Sequence, residues 1–133
     1  MVPDMRPALS TITLALACLL PLASACSRPA EGKLDEDLIR RVVQAHLPET
    51  RACYEVLLAD DADASGVLAI DFTIDESGEV RDPVIFAEEL TDATLHDCMR
   101  DTLLAWKFPR PEGGHVTVTY PFLFVPNDPR FPS

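Results

Sequence analysis

The sequence predicts an α+β domain of element order α-β-β-α-β. A three-stranded antiparallel sheet, strand order 2-1-3, is covered on one face by two helices. Three observations predict it. Residues 66–74 place Leu68, Ile70, Phe72 and Ile74 at every second position, the period of a strand with one buried face. Two flanking stretches, about 35–58 and 91–106, repeat their apolar residues at spacings of three and four, the period of a helix. The other two strand stretches, 79–86 and 115–125, carry Pro83 and Pro121. Proline cannot donate to a ladder and is confined mostly to edges and bulges, so the proline-free stretch is the middle strand.

The chain has 133 residues, 47% of them apolar, and a formal net charge of -11. This length suits one small domain. The acid excess argues against nucleic acid as a partner, which needs a basic surface, and against direct docking on anionic lipid.

Arg6 precedes an apolar run over 14–20, followed by Pro21 and the small residues Ala23, Ser24, Ala25 and Cys26. These are the parts of a secretory signal peptide, and the run is too short for a membrane span. Leu22-Ala23-Ser24-Ala25-Cys26 resembles a bacterial lipobox, with Leu14-Ala15-Leu16-Ala17-Cys18 a competing match. The resemblance implies lipidation at Cys26, and Ser27 after it implies sorting to the periplasmic face of the outer membrane. The expected organisation is a signal peptide over 1–25, a tether over 26–33, a folded domain over 34–126 and a tail over 127–133. The seven residues after Cys26, 27–33, reach about 23 Å when extended, which would keep the domain close to its membrane.

Within the domain, Asp35, Glu36 and Asp37 precede Arg40 and Arg41, the order that a helix dipole favours. Ile39, Val43, His46, Thr50, Cys53 and Leu57 form one stripe that runs through Pro48, so a kinked helix or two coaxial helices are expected. Asp61-x-Asp63-x-Ser65-Gly66 matches the first half of a calcium loop. The position of the bidentate Glu is Phe72, and no helix follows, so the loop reads as a solvated acidic turn. Asp75-Glu76-Ser77-Gly78 is a tight turn with Gly78 left-handed. Val80, Val84 and Phe86 continue the alternation in strand two, with a bulge or interruption at Asp82-Pro83.

Thr91 and Asp92 start the second helix. Its stripe is Leu95, Cys98, Met99, Thr102, Leu103 and Trp106, and Pro109 and Pro111 stop it. Trp106 and Phe108 are expected to anchor its end in the core. Strand three puts Val116, Val118, Tyr120, Phe122 and Phe124 on the helix side, and 127–133 reads as a frayed tail. Strands two and three, joined through a helix, run parallel, with strand one antiparallel between them.

Cys53 and Cys98 lie on the buried stripes of the two helices, and both helices pack on one sheet face. In an oxidising compartment that pair is most simply a disulfide. A zinc site drawing on Cys53, Cys98, His46 and His96 is the rival. Spacing opposes it: His96 and Cys98 are two apart on a helix, and His46 and Cys53 are two turns, roughly 10 Å, apart. A Cys–His nucleophile fails for the same reasons, and no carboxylate pair, Ser/His/Asp arrangement or phosphate loop stands in a supporting context.

Arg51-Ala52-Cys53-Tyr54-Glu55, Gly66, Phe72-Thr73-Ile74, Gly78-Glu79-Val80, Cys98, Trp106-Lys107-Phe108-Pro109 and the Tyr120-Pro121-Phe122 strand together resemble the AgmX/PglI-type C-terminal domain. That family is a relative of the TonB C-terminal domain, linked to gliding-motility proteins. The resemblance spans roughly 36–126 and implies a non-enzymatic periplasmic module that binds an envelope protein or peptide segment. TonB-like domains engage a partner peptide by strand addition at a sheet edge. A TonB-type transducer needs an inner-membrane helix and a long Pro-rich segment. The signal and short tether expected here favour a fixed binding role.

The expected partner surface is strand three, with Thr117, Thr119, Tyr120, Pro121 and Leu123, where Pro121 removes one donor. The sheet face away from the helices would show Val67, Ala69, Asp71, Thr73, Thr117, Thr119, Leu123 and Val125. No catalytic residue, metal or cofactor is expected. The alternatives are a metal-dependent or thiol enzyme using Cys53, Cys98 and the nearby histidines, and a purely structural envelope lipoprotein.

Overall fold

The computed structural model describes residues 31–131. The expected signal peptide, Cys26 and the start of the tether lie outside the described residues. The elements are α1 (Glu36–Ala45), α2 (Leu47–Asp60), β1 (Gly66–Ile74), β2 (Val80–Ala87), α3 (Ala93–Leu104) and β3 (Val116–Phe124). The sheet has order β2-β1-β3 with both pairings antiparallel, as predicted.

The first predicted helix is two helices, broken at His46 (φ -105°, ψ 3°). Pro48 falls in the first turn of α2, where its missing N–H costs no helical bond. The stripe survives the break, with Ile39, Val43, Thr50 and Cys53 all buried. At the joint the His46 ring stacks on Trp106 at 4.9 Å. Glu49 accepts from the indole Nε1 at 3.1 Å and lies 3.0 Å from His46 Nδ1. The His46 bond, and then the indole bond, hold the Glu49 carboxyl below its ordinary range against the opposing effect of burial.

β1 buries Leu68, Ile70, Phe72 and Ile74 under the helices. Its register with β3 is unbroken from Gly66↔Phe124 to Ile74↔Val116. The register with β2 is broken. Thr73 pairs with Arg81 and Asp71 with Val84, so two residues of β2, Asp82 and Pro83, oppose Phe72 alone. This is a bulge, and Asp82 takes a positive φ of 50° to make it.

The bulge overturns the expected alternation of β2. Val80 and Pro83 are buried, Ile85 packs against the core, and Val84 and Phe86 point to the open face. The extra residue shifts every later side chain to the other side of the sheet.

The β1–β2 turn is held by Asp75. Its Oδ1 accepts from Ser77 N–H and Oγ and from Glu79 N–H, and Oδ2 accepts from Arg81 Nε at 2.9 Å. The Ser77 hydroxyl, then Arg81, keep this carboxyl well below the usual carboxylate range. Gly78 has φ 89°, as expected. Its carbonyl accepts from Phe108 N–H at 2.9 Å, and a methyl there would sit 2.1 Å from the Phe108 carbonyl oxygen, so only glycine fits.

Asp92 caps α3 by accepting from Leu95 N–H at 2.8 Å. Trp106 and Phe108, just past its end, are buried in the core, as expected. Cys53 of α2 and Cys98 of α3 form a disulfide with Cα atoms 5.7 Å apart. The bond encloses a separation of 45 residues, for which chain entropy gives about 4 kcal/mol. Reduction, or Cys53→Ala with Cys98→Ala, is expected to lower unfolding free energy by roughly 2–4 kcal/mol. Urea titration monitored at Trp106, with and without reductant, checks this; coincident curves would contradict it.

Candidate functional site: the free edge of the third strand

Among the described residues β3 has one strand partner in the sheet, β1. Backbone groups alternate along a strand, so every second residue points both its N–H and its C=O to the free side. Three contacts fix which residues these are. The His115 carbonyl accepts from Gly32 N–H at 2.7 Å. The Leu123 carbonyl accepts from Arg130 Nη2 at 3.3 Å. The Val125 carbonyl accepts from Arg51 Nη1 at 2.8 Å. Odd-numbered residues therefore face outward, and Thr117, Thr119 and Pro121 are among them. Pro121 is tolerated because its missing N–H would have pointed away from β1.

The two ends of this edge are closed by the chain itself. At the start, Lys33 exchanges backbone bonds with Glu112 (N–H to carbonyl at 2.7 Å, carbonyl to N–H at 2.9 Å). Gly32 passes so close to Gly114 that a Cβ would meet its carbonyl oxygen at 2.1 Å. The last residues assigned to the tether are thus bound to the domain.

At the far end, the tail expected to fray is docked. Nearly buried Arg51 reaches the Val125 and Pro126 carbonyls at 2.8 and 2.9 Å and lies over the rings of Tyr54 (5.1 Å) and Phe131 (5.7 Å). Buried Asp128 accepts from Arg130 N–H and Nε, each at 2.9 Å. Arg130 in turn holds Leu123. The expectation failed because the tail holds itself through Asp128 and Arg130, two residues apart, and because Phe131 is drawn in by Arg51, far away in the sequence. Pro132 and Ser133 lie outside the described residues.

Between the two closures lies an open window. Among the described residues, no backbone bond reaches the outward groups of Thr117, Thr119 or Pro121. Two N–H donors and three carbonyls are left. The window opens into a groove of about 460 Å³ between β3 and α1, lined by Leu34, Glu36, Ile39, Arg40 and residues 116–121. Leu34, Ile39, Val118 and Tyr120 give it an apolar wall, and Glu36 and Arg40 give it one charge of each sign. Of the residues expected at the partner surface, Thr117, Thr119 and Pro121 stand on the window and Tyr120 in the groove. Leu123 sits at the closed end. The groove residues of α1 were missed, although Pro121 itself marks which strand positions face outward.

The other sequence candidates do not gather. The disulfide occupies both sulfurs of Cys53 and Cys98, which in this state removes them as zinc ligands or nucleophiles. His96 Nε2 is 2.6 Å from the Leu90 carbonyl oxygen, and His46 is held by Glu49. Asp61 Oδ1 accepts from Asp63 N–H at 3.1 Å within its own turn, and Phe72 is buried. Among the described residues no group of three metal-ligating side chains occurs, and no helix is long and apolar enough to cross a membrane. No family model, curated protein or solved structure matches the chain.

The closure at Leu123 carries a pH prediction. Hydrogen bonds from the Arg130 side chain, then its backbone N–H, pull Asp128 down to about 2. An unfolded aspartate titrates near 3.9. A depressed carboxylate contributes its stability above the unfolded value and loses it as pH falls through the folded one. The Arg130 and Phe131 amide resonances are expected to hold steady from neutral pH to about 4 and to shift toward released positions between about 4 and 2. Asp128→Asn should remove that transition; its persistence in the variant would overturn the assignment.

Proposed function

We propose that this protein is a lipid-anchored, non-catalytic binding module of the bacterial envelope, which takes a partner segment by strand addition at the edge of β3. The observation that carries the reading is the open window of Thr117, Thr119 and Pro121. A strand edge closed by the chain's own groups at both ends leaves one stretch between them where an extended peptide can complete the ladder. Backbone bonds would supply affinity. Alternate side chains of the partner would enter the groove against Leu34, Ile39, Val118 and Tyr120, where apolar residues suit the wall and the rim takes either charge. The resemblance of the Trp106-Lys107-Phe108-Pro109 and Tyr120-Pro121-Phe122 motifs to the AgmX/PglI and TonB C-terminal domains supports the same mode. The lipobox-like residues 22–26 support anchoring through Cys26, and a domain tied down from Gly32 onward would stand near its membrane.

A photoreactive residue placed at Thr117 is expected to crosslink an envelope protein in intact cells. Thr119→Pro deletes one window donor, and loss of a net hydrogen bond of about 1.4 kcal/mol corresponds to roughly tenfold less adduct. Thr119→Val keeps the donor and should keep the adduct. Adduct unchanged by Thr119→Pro, in protein that retains its disulfide, would sink strand addition.

Anchoring has its own check. A clickable fatty acid should label the chain in cells, and Cys26→Ser should abolish the label and release the protein from membranes. Labelling that survives this substitution would place the anchor elsewhere.

A further inference from the structure

The sheet face turned away from the helices carries an apolar surface that backbone pairing at the β3 edge leaves uncovered. Val67, Ala69, Val84, Phe86, Pro121 and Leu123 lie together on it. Val67 pairs with Leu123, and Ala69 sits between Phe86 and Pro121. Val67, Val84, Leu123 and Phe86 are 45%, 50%, 54% and 55% exposed, so all four stand about half in water. The other end of the face is polar. Thr119 Oγ1 donates to Asp71 at 2.6 Å, and Thr73 lies between Thr117 and Arg81. Scattered apolar residues on a surface need no reason, but a contiguous set does.

The set exists because of the bulge. Without the extra residue, Val84 and Phe86 would alternate inward with Val80. The chain instead holds Asp82 at φ 50°, a region sparsely populated by residues other than glycine. A disfavoured backbone conformation thus keeps two apolar side chains out of the core.

The rim decides the occupant. Glu88 and Glu89 close the β2 end of the patch, around a depression of about 610 Å³ that runs from Val67, Ala69 and Phe86 past the β2 edge to Ile85, Ala87 and His96 of α3. Both glutamates are exposed, and neither joins an ion pair among the described residues. Arg81 on the same face is at the opposite end and is engaged by Asp75 and Glu79. A second copy of the chain, with 22 acids against 11 bases, would meet it with the same net sign of charge. We infer that this face binds a cationic amphipathic segment of a partner protein. Its apolar side covers Phe86, Val84, Val67 and Leu123, and its Lys or Arg side chains meet Glu88 and Glu89. This surface meets the β3 window at Pro121 and otherwise lies on the face, where the window lies on the edge.

The test is titration of the ¹⁵N-labelled protein with a Leu/Lys amphipathic helical peptide and with its Leu/Glu counterpart. The cationic peptide is expected to shift amides of β1, β2 and β3 around Val67, Phe86 and Leu123, while the anionic one leaves them in place. Glu88→Lys with Glu89→Lys should weaken binding by about tenfold or more, and Phe86→Ser should weaken it to a similar degree. Asp37→Lys with Asp101→Lys makes the same charge change on exposed helix positions and should leave the affinity nearly unchanged. Thr119→Pro should also leave it unchanged, which separates this inference from the β3 reading. Equal binding of both peptides, shifts confined to the helices, or equal weakening by the control pair would overturn the proposal. So would self-association that maps to this face in place of peptide binding.

Discussion

Both ladders of the sheet run through β1; β2 and β3 pair with nothing else in it. The inner side of that strand, Leu68, Ile70, Phe72 and Ile74, is also the floor on which the helices rest. One stretch therefore supplies the backbone partners of two strands and the apolar surface of the core. The Cys53–Cys98 bond joins α2 to α3 in the layer above. It constrains the unfolded chain more than it adds contacts to the folded one, while burial on β1 supplies the driving force.

A three-stranded sheet covered on one side has one bare face and two bare edges, and the chain treats these three surfaces differently. The β2 edge is distorted by Asp82 and Pro83, a device that discourages pairing. The β3 edge is straight, with its register intact over nine residues, and among the described residues it is closed at its ends alone. The bare face is divided into a polar half near Arg81 and an apolar half near Phe86. The local event at Asp82 shapes two of these surfaces at once, spoiling one edge and furnishing the face beside it.

Much of this was legible from the residues. The bounds of β1 followed from an alternation with no proline in it, and the order 2-1-3 from where the prolines fell. Asp82-Pro83 marked the site of the irregularity in β2. Its consequence for Val84 and Phe86 was misread, because a period-two pattern cannot say whether an interruption adds a residue. The break at His46 blurred for a related reason: a stripe at spacings of three and four continues through a short joint that keeps the same face buried. Arg51 stood out only as part of the Arg51-Ala52-Cys53-Tyr54-Glu55 motif. Its role depends on carbonyls at Val125 and Pro126, and contacts at that separation leave no local trace. The facing of β3 was written in Pro121, since a proline on a paired strand must turn its nitrogen outward.

The closures at Gly32 and Arg130 also set a limit on length. An uninterrupted straight edge templates strand upon strand without end, which is the route to fibrils. Here the unclaimed stretch from Thr117 to Pro121 covers five residues, about 17 Å of extended chain. A guest of that length can seat, while a long foreign strand meets an obstacle at either side. The same bracketing that frames a docking place therefore serves as a guard against runaway polymerisation, and it needs no residue beyond those that already pin the two ends of the domain.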